Sequence, residues 1–178
     1  MKSKRDKVGK DVAYLPPGEG TRSLRVLGEL VAYKIASDQT GGAYSLFEVE
    51  TPPGSRVSPH VQHREDEAFY VLEGDYEFLV DGRTIKAGAG SLIYIPKGNL
   101  HAHKSVGKEP GRMLVSQTPG GSHERFFEEI GVETKDTLTP RDSENPPDME
   151  SIAKIAAEYG IELTSPGRLS SGQKEITG

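Results

Sequence analysis

Residues 54–74 read GSRVSPHVQHREDEAFYVLEG, a charged turn between two strand-like runs that carries two histidines and several carboxylates. Side chains two positions apart on a β-strand lie on the same face, so His60 and Gln62 share a face and His63 points to the other. Glu67 follows at the start of the next apolar run. Imidazole and carboxylate groups are ligands for divalent transition metals, so this segment predicts one half of a metal site.

A second histidine pair lies in residues 90–105, which read GSLIYIPKGNLHAHKS. His101 and His103 are also two positions apart, and on a strand they share one face. If the two segments form neighbouring strands, their histidine-bearing faces converge on one point. Together the segments therefore predict one bound divalent transition metal.

The sequence around both segments is typical of an all-β domain. Between residues 21 and 119, short apolar runs alternate with glycine- and proline-containing turns at a spacing that favours a sandwich or barrel. The runs Ala68–Leu72 and Leu92–Ile95 are apolar at successive positions. Both faces of these strands are therefore expected to be covered, either by two packed sheets or by a partner subunit.

The pattern changes after Gly121. Residues 122–130 predict a short helix with Ser122 as a possible cap and Gly131 as its stop, and residues 132–147 predict a polar loop. Asp148 opens a second predicted helix over 149–159, which Gly160 ends. The expected organisation is an arm at 1–20, a β-barrel at 21–121, a helical extension at 122–164 and a flexible tail at 165–178.

Composition and charge exclude several classes of function. The 178 residues contain no cysteine, which excludes disulfides, thiolate metal sites and cysteine nucleophiles. The net charge of −5 disfavours a nucleic-acid partner, and no apolar run approaches the roughly 20 residues of a membrane-spanning helix. The first ten residues are basic without an apolar stretch, so a cytoplasmic protein without a secretory signal is expected.

The two histidine segments resemble the paired motifs of the cupin superfamily. Gly54, His60, Glu67 and Gly74 match the first motif in order and spacing, and Gly90, Pro96, Gly98 and His101 match the second. The sequence around the motifs looks like that of the quercetin-dioxygenase-like branch of small single-domain cupins. This resemblance implies a double-stranded β-helix, the jelly-roll barrel of cupins, with short C-terminal helices.

The resemblance also implies a set of metal ligands. His60, Glu67 and His101 match three of the four ligands of the family, whereas Gln62 stands at the fourth position, where the family has histidine. Three arrangements are open: Gln62 coordinates through its oxygen, His63 enters through a bulge, or only two histidines and one carboxylate bind, as in non-haem Fe(II) sites. A metal-free barrel in which these groups only form hydrogen bonds is a further alternative.

The expected function is that of a mononuclear metal enzyme that oxidises a small enolic or phenolic substrate with O2. Iron is the favoured metal, with Mn, Ni, Cu, Co and Zn as alternatives. Two imidazoles and one carboxylate leave a net positive charge on a divalent ion, which favours an anionic substrate. Glu67 is the candidate proton acceptor if it leaves the metal. His103 is a candidate acid/base, pocket-wall residue or extra ligand, whereas His123 is expected to be an ordinary residue of a helix first turn.

Two other functions compete with the dioxygenase. One is a non-catalytic module that binds a small molecule, and the other is an isomerase or epimerase. In every case the partners are expected to be a small molecule and a second copy of the chain in a homodimer, not nucleic acid or membrane.

Overall fold

A computed structural model of the chain describes residues 12–135 and 148–164, together with the backbone of residues 174–175. A 3-10 helix, Ser37–Thr40, and two α-helices are present, α1 at Ser122–Ile130 and α2 at Met149–Glu158. The strands described are β1 Arg22–Val26, β2 Glu29–Ile35, β3 Ser45–Thr51, β4 Arg56–Gln62, β5 Asp66–Glu73, β6 Tyr76–Val80, β7 Arg83–Ala87, β8 Leu92–Ile95, β9 Leu100–Ser105, β10 Gly111–Thr118, β11 Val132–Glu133, β12 Ile161–Leu163 and β13 Lys174–Glu175.

These strands form two sheets that face each other. One sheet has the order β11-β1-β2-β3-β10-β5-β8, and the other has the order β12-β4-β9-β6-β7-β13. Consecutive strands β4 and β5 belong to different sheets, so the chain crosses between the layers, as it does in a jelly roll. The predicted all-β jelly-roll fold is therefore confirmed.

The core lies between the two sheets and follows from strand alternation. Along β3, buried and partly buried residues alternate at every position, which places Phe47 and Val49 inside. Phe78 and Met113 pack in the same cluster, and both are fully buried. Burying each of these large apolar side chains contributes about 1.5–3 kcal/mol, so this layer supplies much of the stability of the barrel.

The outer face of β5 and β8 differs from the expectation that both faces are covered by packed sheets. Phe69 and Ile93 point into the core, whereas Tyr70, Leu92 and Tyr94 are 43%, 66% and 59% exposed. β8 is the last strand of its sheet, and no second layer of the described chain covers it. A partner subunit, the other cover expected for this face, stays a prediction.

Helix α1 spans the predicted residues but begins differently. Ser122 is its first helical residue rather than its cap, and Gly121 precedes it with a φ of 117° that favours glycine. The buried side chain of Glu65 accepts the backbone N–H groups of Ser122 and His123, at 2.7 and 2.8 Å. A carboxylate from the barrel therefore satisfies the free N–H groups at the start of this helix.

Helix α2 begins and ends where the sequence predicts. Asp148 caps it by accepting the backbone N–H of Glu150, and Gly160 follows the helix with a φ of 78°. The chain then forms β12, which pairs with β4 and places Leu163 opposite His60. The C-terminal segment therefore contributes a strand beside the predicted metal site.

Several predictions concern residues outside the described part of the chain. These are residues 1–11 of the arm, 136–147 of the polar loop, and the tail apart from 174–175. Within the residues that are described, no helix is long and apolar enough to cross a membrane.

Candidate metal centre and its cavity

The three predicted ligands with imidazole or carboxylate groups meet inside the barrel. His60 on β4 and His101 on β9 are directly paired across one sheet, and Glu67 on β5 comes from the other. One potential ligand atom from each of the three residues lies within 4.8 Å of the others, and all three side chains are buried. The two motifs therefore converge, as the strand pattern predicts.

The distances around Glu67 define the centre of the group. Its Oε2 atom is 2.8 Å from His101 Nε2 and 4.0 Å from His60 Nε2. The two imidazole rings lie 4.2 Å apart, centroid to centroid. The Nε2 atoms of both histidines and one carboxylate oxygen therefore face a common point.

Backbone carbonyl groups orient both histidines. His60 Nδ1 is 2.9 Å from the carbonyl oxygen of Ser58, and His101 Nδ1 is 3.0 Å from that of Asn99. In each case the carbonyl belongs to the residue two positions earlier. Because a carbonyl oxygen accepts only, each Nδ1 carries the proton and donates, which leaves Nε2 with a lone pair toward the centre.

Glu67 uses its two oxygen atoms differently. Oε1 accepts a hydrogen bond from Gln117 Nε2 at 3.2 Å. Glu67 Oε2 and His101 Nε2 are both buried and lie 2.8 Å apart. Within the described residues, neither atom forms a hydrogen bond of good geometry. With His101 neutral, these are two buried acceptors directed at one point, which is costly without a cation, so the donor set fits a divalent metal.

Burial and charge shift the pKa values of these groups. Burial lowers the pKa of His60 to about 3, which keeps its imidazole neutral. For Glu67, burial raises the pKa, but contact with His101 and the nearby His123 outweighs it, so the net pKa falls below the usual range. Burial also lowers the pKa of His101, and contact with Glu67 more than reverses that effect.

Gln62 lies inside the barrel, and His63 lies outside. The irregular pairing of β4 falls between Val57 and His60, so strand alternation is regular from His60 onward. Gln62 is buried as alternation predicts, whereas the side chain of His63 is 51% exposed and its Nε2 is 3.1 Å from Glu162. The alternative in which His63 enters the site through a bulge does not agree with this geometry.

His123 is the residue that the sequence interpretation missed. It is buried at the start of α1, with Nδ1 3.8 Å from Glu67 Oε1 and in contact with the side-chain amide of Gln62. Its ring packs on Phe127 at 4.3 Å, and burial lowers its pKa to about 4. His123 does lie in the first turn of a helix, as expected, but α1 returns across the barrel and places this ring beside Glu67, which the sequence did not indicate.

His103 shares the inward face of β9 with His101 but does not join the three converging ligand atoms. Its ring lies among aromatic side chains, 5.7 Å from Phe69 and 5.4 Å from Phe78. Its nearest charged group is Glu29, whose Oε1 is 3.7 Å from His103 Nε2. The structure therefore places His103 on the wall of the cavity.

A cavity of about 240 Å³ opens beside the three converging residues. His60, Glu67 and His123 line one part of it, and apolar side chains of both sheets line most of the rest. Met149 of α2 and Leu163 of β12 also line it, so the C-terminal segment forms part of the wall. A small, partly open, mainly apolar pocket with a few polar groups is the usual form of a small-molecule site.

Comparison with known proteins agrees with this fold. The cupin domain family matches residues 47–116, which contain both histidine segments. The chain is 32% identical over 84 residues to an uncharacterized protein of Methanocaldococcus jannaschii, covering 47% of this chain and 67% of that protein. The protein described here belongs to the cupin superfamily.

The chain is also similar to one further curated protein and to one solved structure. The chain is 30% identical over 119 residues to quercetin 2,3-dioxygenase of Bacillus subtilis, covering 66% of this chain but 34% of that enzyme. The chain thus spans about a third of the length of this relative. The cupin domain of Schizosaccharomyces pombe Cnp3 shares the fold, with a TM-score of 0.52 and 21% identity over 68% of this chain and 82% of that domain.

Proposed function

We propose that this protein is a mononuclear metal-dependent enzyme of the dioxygenase type that acts on a small enolic or phenolic substrate. The observation that carries the proposal is the convergence of Glu67 Oε2 with the Nε2 atoms of His60 and His101 in a buried site. The distant likeness to quercetin 2,3-dioxygenase supports the reaction class.

His60, Glu67 and His101 would hold the metal, and Gln62 is a weaker neutral donor beside them. Two histidines and one carboxylate suit iron best among the first-row ions considered, with Mn, Ni, Cu, Co and Zn as alternatives. When bound, the metal would supply Lewis acidity and a meeting place for an oxygenated substrate and O2.

The side chains of the protein would orient the substrate and handle its proton. Gln117 holds Glu67 Oε1 at 3.2 Å, so the orientation of the carboxylate is fixed before substrate enters. Glu67 is the proposed acceptor for the proton of an enol or phenol, because it is the carboxylate on the cavity wall nearest the two histidines. The apolar wall, which includes Phe69 and Phe127, would exclude water from the reacting groups.

The proposal is tested by metal analysis of two histidine variants three positions apart. Protein purified without chelators and reloaded with Fe(II) is expected to hold one metal per chain in the wild type and in His63→Ala. The His60→Ala variant is expected to lose it, because His60 faces the centre whereas His63 is exposed. Metal-dependent O2 uptake with quercetin, catechol or acetylacetone then tests the reaction class.

The results that contradict the proposal are specific. Failure to restore bound metal with any of Fe, Mn, Ni, Cu, Co or Zn would remove the basis for a metal enzyme. One bound metal without O2 uptake for any of the three probes would favour the non-catalytic binding module instead.

We also propose a homodimer formed through the outer face of β5 and β8. Tyr70, Leu92 and Tyr94 place apolar surface there, and Leu114 of β10 continues the row beside Tyr70. An exposed apolar patch of neighbouring residues on an edge strand favours an interface between proteins.

A further inference from the structure

A second polar group lines the same cavity, apart from the three proposed metal ligands. Glu29, the first residue of β2, and His103 both face this space. Glu29 Oε1 accepts the hydroxyl of Thr51 at 2.9 Å and lies 3.7 Å from His103 Nε2, which is beyond hydrogen-bond distance. This pair offers a carboxylate and an imidazole at one place on a mainly apolar wall; Arg56 also lines the cavity and is exposed.

His103 is buried without a partner for either ring nitrogen. The residue is only 8% exposed, and among the described residues neither Nδ1 nor Nε2 has a hydrogen bond. In any protonation state a histidine carries at least one N–H donor. A buried donor without an acceptor costs free energy, so this ring is suited to a group that enters the cavity.

The chemistry of Glu29 and His103 determines which functional group of a ligand can bind between them. A carboxylate or phosphate would be repelled by the Glu29 carboxylate, and an ammonium group has no lone pair to accept from the His103 N–H. A hydroxyl group does both, since it donates its proton to Glu29 and accepts from His103. The two side chains together therefore match a neutral hydroxyl.

The position of the pair defines the length of the ligand. His101 and His103 are two residues apart on β9, which separates them by roughly 7 Å along a strand. The ring of Phe69 lies beside both, 6.4 Å from the His101 ring and 5.7 Å from the His103 ring. One flat ring stacked near Phe69, with oxygen atoms at opposite ends, fits this separation.

We propose that Glu29 and His103 form a hydroxyl-binding site that sets the substrate class of the enzyme. The substrate is then a flat ring with an acidic enol or phenol at the Glu67 end and a neutral hydroxyl at the opposite end. The assignment of the Glu67 end rests on the proposed function, whereas the hydroxyl site depends only on Glu29 and His103.

The test compares three single-ring probes by titration calorimetry on the protein without metal. Phenol carries a hydroxyl, anisole keeps the oxygen without its proton, and toluene lacks the oxygen. Phenol is expected to bind about tenfold more tightly than either of the others, because only it donates a hydrogen bond to the Glu29 carboxylate.

Two variants assign the preference to this site. Glu29→Leu and His103→Phe replace polar groups by apolar ones of similar size, and each is expected to reduce phenol affinity to that of anisole while anisole affinity is unchanged. Glu109→Gln, an exposed position outside the cavity, is the control and should keep the preference. Circular dichroism verifies that the variants are folded.

The results separate this inference from the proposed function. Equal binding of the three probes in the wild type, no binding of any probe, or a preference that survives both variants would overturn the hydroxyl site, whether or not metal binds. A phenol preference that is lost in both variants supports the site even if the metal titrations fail and the proposed function falls.

Discussion

Gln62 and His123 are in contact inside the barrel, although 61 residues separate them in the sequence. Gln62 occupies the position where the cupin motif has a histidine, and His123 comes from helix α1, outside both motifs. Within the described residues, Gln62 Oε1 is buried without a hydrogen-bond partner. A third imidazole, that of His123, is thus present near Glu67 besides those of His60 and His101. Helix α1 supplies it, rather than position 62 of strand β4.

Exchanging the two side chains tests which position serves the metal. Gln62→His combined with His123→Gln moves the imidazole to the strand face that carries His60, and we expect tighter metal binding than in the wild type, because imidazole is the stronger donor to late first-row ions. Gln62→His alone is expected to gain less, since His123 occupies the adjacent space. Competition titration with a chromophoric chelator measures both affinities, and a neutral exchange would show that position 62 does not face the metal.

Glu67→Gln separates metal binding from folding. The variant removes the buried charge that faces His60 and His101, and we expect it to lose the metal. In the wild type, metal at 100 times its dissociation constant should stabilise the protein by about 2.7 kcal/mol, and this gain should be absent in the variant. Thermal unfolding with and without metal gives the comparison; equal metal-induced shifts in both proteins would contradict the assignment.

The fold and three of the site residues were predictable because they depend on local patterns. Strand alternation places His60 and Gln62 on one face, and the motif spacing brings Glu67 and His101 to them. The location of His123 was not predictable, since it depends on how α1 packs across the barrel after β10. A first-turn histidine followed by two phenylalanines is equally typical of an ordinary amphipathic helix.

The start of α1 gives a stability prediction. Both oxygen atoms of Glu65 accept backbone N–H groups of this helix, from Ser122 and His123. Glu65→Gln turns one acceptor into a donor, which leaves one buried N–H without a partner and should cost about 1–3 kcal/mol of unfolding free energy. Urea unfolding measures the loss against Glu158→Gln, an exposed control on α2; equal stability of the two variants would show that this cap does not hold the helix.

Helix α2 gives a pH-dependent prediction. Hydrogen bonds from the Ser151 hydroxyl and the Glu150 N–H hold the pKa of Asp148 below its ordinary value. A lowered carboxyl pKa stabilises the folded state above the unfolded pKa of about 3.9, and this contribution is lost as the pH falls through the folded pKa. Asp148→Ala should therefore unfold at a lower temperature than the wild type at neutral pH, and the difference should shrink in strong acid. A constant difference at all pH values would contradict this capping role.

The proposed dimer gives the last prediction, which concerns the outer face of β8. Leu92 is 66% exposed on the edge strand, beside Tyr70 on β5. Light scattering of the wild type should give twice the 19.3 kDa mass of the chain, and Leu92→Lys should give the monomer, because it places a charge in the apolar contact. Val132→Lys is the matched control, since Val132 is 69% exposed on β11, at the opposite edge of the same sheet. A monomeric wild type would exclude the dimer, and a dimer that survives Leu92→Lys but not Val132→Lys would move the interface to the other edge.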